Sequence, residues 1–127
     1  MSGAPQFASS INSAAVAVAT ANANRDGTGV IATLFTAGVA GSRIDEISVK
    51  ATVTTTAGML RFFLHDGVNF FLWRELLVGA VVPSGTVASF EAVLGNLGLL
   101  IEPGWTLRVS TQNAENFNVM VTKGGDF

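Results

Sequence analysis

The 127-residue sequence contains no cysteine and no tyrosine, a single histidine and three prolines, and only 13% of it is charged. Without cysteine, disulfides and thiolate metal sites are excluded and the redox compartment leaves no trace. With one histidine, a hydrolytic triad has a single available base, His65. The seven basic and nine acidic side chains give a net charge of −2 and stand singly along the chain. Binding to nucleic acid through phosphates needs several clustered Lys or Arg, so no nucleic-acid partner is expected. Long apolar runs are also missing. Asn, Ser, Gly or Pro83 interrupts each uncharged stretch, so none reads as a membrane span. The uncharged first 24 residues, with the run Ala14-Ala15-Val16-Ala17-Val18-Ala19, lack the basic start and strong apolar stretch of a signal peptide. The expectation is a chain made in the cytoplasm, with no membrane partner.

Apolar residues are abundant, at 49% of the chain. A typical domain is about 25% charged, so this one is short of polar cover. Either Ser, Thr, Asn and Gly supply its surface, or part of that surface is buried against partners. The length favours one domain, large enough to bury roughly two thirds of its unfolded surface. Residues 1–13 (MSGAPQFASSINS) are too small and polar to build a core. They read as an extended N-terminal arm, disordered in the free protein, with Phe7 and Ile11 as apolar anchors for a neighbour. Residues 14–127 form the domain.

Within it, short strand patterns alternate with turns. Ala15 to Thr20 and Gly29 to Thr36 are β-biased runs joined by Asn22-Ala23-Asn24-Arg25-Asp26-Gly27, and Gly38 to Ser42 reads as a loop. Ile47, Val49, Ala51 and Val53 alternate with Glu46, Ser48, Lys50 and Thr52, the period of a half-buried strand. Leu60, Phe62 and Leu64 alternate with Met59, Arg61, Phe63 and His65. Asp66-Gly67 closes that strand, and Val68 to Leu77 completes a hairpin. Further strands fall at 87–94, 99–101, 106–111 and 117–121. A helix near 72–80 is the rival local reading, since Leu, Arg and Glu are good helix formers. Eight or nine strands, with turns every 8 to 12 residues, predict an all-β, single-domain antiparallel β-sandwich, jelly-roll-like in strand number.

Several residues invite a chemical role. His65 sits at the hairpin turn with no nucleophile elbow of the Gly-x-Ser-x-Gly kind, and reads as a strand-end residue. Asn22, Asn24, Asp26 and Gly27 mimic the start of a calcium loop, but Thr33 stands where the bidentate Glu belongs, and a plain turn is the better account. Asp45, Glu46, Glu75, Glu91, Glu102 and Glu115 supply carboxylates that a glycosidase would need as a pair; solvated strand faces and ion pairs with Arg43, Arg61, Arg74 and Arg108 explain them more simply. No phosphate loop or dinucleotide fingerprint occurs. The expectation is a non-enzyme without catalytic, metal or cofactor residues. In Phe62, Phe63, Phe70, Phe71 and Trp73, adjacent rings must point to opposite faces of a sheet. Large apolar groups on a second face favour an interface, so Phe63, Phe71 and Trp73 join Phe7 and Ile11 as its candidates.

Ordered runs across the chain from about residue 20 resemble a family of small virion-associated proteins of tailed bacteriophages. They are Asn24-Arg25-Asp26-Gly27-Thr28-Gly29, Gly41-Ser42-Arg43-Ile44-Asp45, Thr54-Thr55-Thr56-Ala57-Gly58-Met59, His65-Asp66-Gly67-Val68-Asn69 and Asn113-Ala114-Glu115-Asn116-Phe117-Asn118-Val119, with the terminal Gly-Gly-Asp-Phe. The resemblance implies no catalytic residues. It implies a structural role on the virion, first as a capsid decoration (cement) protein on the outer surface of the head, bound to the major capsid protein, and second as a tail or fibre component. A homo-oligomer is expected, with a trimer suggested by three-fold sites on capsids. A carbohydrate-binding sandwich for host recognition, with Trp73 or Trp105 stacking on sugar, is the alternative from another class.

Overall fold

The computed structural model describes residues 9–127. Nine strands account for its regular structure: β1 (Ala15–Val18), β2 (Ala32–Thr36), β3 (Ser42–Ala51), β4 (Gly58–His65), β5 (Phe70–Val78), β6 (Glu91–Leu94), β7 (Leu99–Ile101), β8 (Thr106–Thr111) and β9 (Phe117–Asp126). They form two antiparallel sheets. One has the order β1-β9-β3-β6, with β7 also pairing β3 beyond the end of β6; the other has the order β2-β8-β4-β5. The helix near 72–80 does not form. Those residues lie largely in β5, where Leu76 and Leu77 pair with Leu60 and Met59, so sheet pairing overrides local helix propensity.

The two sheets enclose one apolar core, a β-sandwich-like arrangement. Ile44, Ile47, Val49 and Ala51 of β3 and Phe117, Val119 and Val121 of β9 line it from the five-stranded sheet. Leu60 and Phe62 of β4, Leu107 and Val109 of β8 and Phe35 of β2 line it from the other. Each of the larger side chains among these contributes roughly 1.5–3 kcal/mol on full burial. The alternation read over 47–51 is the core-facing phase of β3. That strand begins earlier than expected, at Ser42, and its register with β9 shifts around Asp45 and Glu46. The extra residue places Ile44, not an odd-numbered neighbour, in the core. Val53, expected on the same face, lies past the strand and is exposed.

Two segments differ from expectation in ways that matter for function. Ser9 to Ser13, assigned to a free arm, are held against the domain. Ser10 forms a β-bridge with Asp126, Asn12 donates to the Thr36 carbonyl at 3.0 Å and to Asp126 Oδ1 at 2.8 Å, and Val121 N–H donates to the Ala14 carbonyl. The small polar residues that cannot make a core do satisfy the end of β9. The β1–β2 connection is the second segment. It packs on the outside of the four-stranded sheet, where Arg25 reaches Glu75 and a side chain at Gly27 would collide with Phe70.

Candidate functional site

The hairpin of β4 and β5 carries most of the residues expected to face a partner. Phe62 points into the core and Phe63 to the opposite face, as adjacent strand residues must. Phe63 is nevertheless fully buried (0% exposed). The Phe70 ring packs edge-on to it at 6.1 Å, Arg108 lies over Phe70 at 5.5 Å, and the β1–β2 connection closes over Phe70 at Gly27. Phe63 is therefore removed from the set of free interface residues: its second face is covered from within the chain. Trp73 is half-buried, edge-on to Phe62 at 6.4 Å, with the Arg74 guanidinium 5.1 Å from its ring centroid. Phe71 is 47% exposed and stacks on Trp105 at 6.1 Å. Ile11 is 90% exposed. Phe7 lies outside the described residues.

Polar groups flagged in the sequence are used locally. His65 Nδ1 accepts the Gly67 amide at 3.3 Å, and the imidazole packs on Phe70. The Asp66 carboxylate accepts the Asn69 and Val68 amides; these bonds, the Asn69 one foremost, hold its pKa below the ordinary carboxylate value. In the calcium-like loop, Asn22 Nδ2 donates to the Thr28 and Val30 carbonyls while its Oδ1 accepts Asn24 N–H. Asp26 Oδ1 accepts both the hydroxyl and the amide of Thr28, the hydroxyl bond being the main cause of its lowered pKa. The loop oxygens close turns on themselves. Among the described residues, no group of three or more His, Cys, Asp and Glu side chains converges as a metal site.

The acids are likewise distributed. Asp45 pairs with Arg43 at 2.8 Å, Glu46 with Lys123 at 3.5 Å, and Glu75 with both Arg25 and Arg61. Glu115 accepts the amide and hydroxyl of Thr56. The Arg25 hydrogen bond, aided by Arg61, holds the Glu75 carboxyl below its ordinary range. Asp126, which the sequence offered only as part of a terminal Gly-Gly-Asp-Phe, is a structural hub. Its carboxylate accepts Ser42 Oγ and Asn12 Nδ2, and these bonds, the Ser42 hydroxyl first, lower its pKa.

Two surface features stand out beyond these. Large apolar side chains remain exposed on many elements, including Leu77 (67%), Val82, Val93 (60%) and Leu100 (64%). A groove of about 1070 Å3 also opens at one end of the five-stranded sheet, with Arg43, Asp45, Asn96, Leu100, Glu102 and Phe127 among its lining residues. Sequence reasoning did not gather these six. The only cue was the Gly95-Asn96-Leu97-Gly98 turn, whose Asn96 adopts a left-handed φ of 53°. Comparison of the chain with protein-family models, with curated proteins and with solved structures finds no match.

Proposed function

We propose that this chain is a non-enzymatic structural protein of a tailed-phage virion, acting as a capsid decoration (cement) subunit on the major capsid protein at the outer surface of the head. The observation that carries this reading is the amount of apolar side chain left in water by a domain whose core is already complete. Leu77, Val82, Val93 and Leu100 are each at least 60% exposed, while the core-facing positions of β3, β4, β8 and β9 are closed. Apolar surface on both sheets and on their connections is what contacts with several neighbouring subunits would cover. On a symmetric shell, many copies would multiply weak contacts through avidity.

The strand order supports a finer reading of the fold. Chain-consecutive β1 to β4 alternate sheets, and the two sheets run in the orders β1-β9-β3-β6 and β2-β8-β4-β5. On our reading this order fits an eight-stranded jelly roll, with β7 as an addition in the connection from β6 to β8. A jelly roll suits a rigid subunit whose loops and outer faces are free for contacts. Of the hairpin candidates, Phe71 and Trp73 keep accessible surface for such contacts, as does Ile11.

Electron microscopy of particles carrying a labelled copy of this chain tests the reading. Label spread over the whole head is the expected result. Label at a single vertex would replace it with a tail or fibre role, and particles without label would remove the virion reading altogether.

A further inference from the structure

We infer that the groove at the end of the five-stranded sheet is a binding site for a neutral saccharide, a role independent of subunit assembly. Its walls are built by backbone contacts. Leu97 N–H donates to the Asp45 carbonyl and so fixes the Asn96 turn against β3. Phe127 N–H donates to the Gly41 carbonyl at 3.1 Å and fixes the opposite wall. Arg43 and Leu100 are cross-strand partners in the β3–β7 pair, so their side chains share one face of the sheet. This hollow of about 1070 Å3 is slightly larger than small-ligand sites usually are, roughly 300–1,000 Å3.

The side chains select the chemistry. Arg43 offers only donors; its Nε is taken by Asp45 Oδ1 at 2.8 Å, which leaves the terminal nitrogens for a ligand. Asp45 and Glu102 offer only acceptors, and Asn96 offers both. An anion would find one guanidinium, already paired, opposed by two carboxylates. A cation would find Asp45 already neutralised by Arg43, and no cluster of three carboxylates to hold it among the described residues. A wholly apolar ligand would strip water from four polar groups without replacing their hydrogen bonds. A neutral polyol supplies donors and acceptors from the same hydroxyls and carries no charge to oppose. The Phe127 ring and exposed Leu100 offer an apolar surface to the C–H face of a pyranose. The aromatic contact thus falls to Phe127, not to Trp73 or Trp105, which pack on Phe62 and Phe71.

The test is a series of amide-resolved NMR titrations of the full chain with maltose, cellobiose, lactose and chitobiose. Each is taken to about 50 mM, so that millimolar affinity is detected, with sodium phosphate in a parallel series. Expected are shifts confined to the amides of Arg43, Asn96, Gly98, Leu100 and Phe127 with at least one sugar, weakened about tenfold in Arg43→Ala, the size of effect for one charge-assisted hydrogen bond. Should Arg43→Ala fail to fold, Glu102→Ala, at an exposed carboxylate, gives the same readout. Absence of shifts with every sugar, shifts elsewhere on the surface, unchanged binding by the variants, or shifts of these amides with phosphate alone would each overturn the inference.

Discussion

Arg61 is 2% exposed on β4, and its guanidinium meets Glu75 at 2.9 Å and Gln112 at 3.2 Å while Nη1 has no partner among the described residues. Ser110, its cross-strand partner on β8, has a buried hydroxyl with no partner among the described residues. Removing the Arg61 side chain creates a void and leaves Glu75 to Arg25 alone. Arg61→Ala is expected to lower stability by about 2–4 kcal/mol in urea denaturation. Arg61→Met keeps much of the volume and deletes the orphaned donor, so it should cost clearly less; an equal loss would mean that the charge, not the packing, holds this face. Four carboxyls make a separate, pH-dependent contribution. Asp26, Asp66, Glu75 and Asp126 all have folded pKa values lowered by hydrogen bonds or Arg partners. A lowered folded pKa means that the unfolded state takes up the proton first on acidification. This stabilisation is complete above the unfolded carboxyl range of about 4 and is lost as pH falls through the folded values. The urea midpoint should therefore be flat with respect to these groups from neutral pH to about 5 and fall below about 4, less steeply in Asp126→Asn. A midpoint insensitive to acid would contradict the assignment.

At the scale of elements, two glycines separate conformational strain from steric exclusion. Gly67, at the hairpin turn, has φ +102 and open space around a hypothetical Cβ. Gly124, in β9, has φ +151 and would drive a Cβ into the Arg43 carbonyl oxygen of the neighbouring strand. Gly67→Ala should cost about 1 kcal/mol, the left-handed penalty alone. Gly124→Ala should cost clearly more, because β3 and β9 must separate where the register shifts. Equal losses would show that the β3–β9 contact yields easily. The same scale explains the covered hairpin. The turn held by Asn22 positions Arg25 over Glu75 and Gly27 over Phe70, so a connection, not a partner, shields the second face of β4.

For the whole molecule, the first described strand, β1, pairs with the last, β9, and β2 pairs with β8. Both sheets thus need the two ends of the chain together before they close. Loop closure of this length precedes the contacts that repay it, so refolding should occur in milliseconds to seconds; stopped-flow refolding in microseconds would contradict the topology. The ties of Ser10 and Asn12 to β9 mean that deletion of residues 1–13 should lower the stability of the fold, where a free arm would have left it unchanged. The exposed apolar side chains predict self-association, measured by light scattering at micromolar concentration. A monomer there would argue against association in solution.

The amino-acid order by itself determined roughly where most strands lie and which face of most is buried, though not their ends, since β6 begins at Glu91 and not at 87 and β9 runs on to Asp126. A period of two and Gly, Asn and Asp turns are local properties read within a few residues. Phe62, Val109 and Val119 were legible as core for that reason. Phe63 was not, since its cover comes from Phe70 and a connection over thirty residues upstream, at Gly27, joined only by folding. Nor was the groove, whose lining runs from Ala40 to Phe127. Its chemistry exists because β3, β7 and β9 meet, and strand pairing between distant segments is set by the packing of both sheets against one core, which no local pattern encodes.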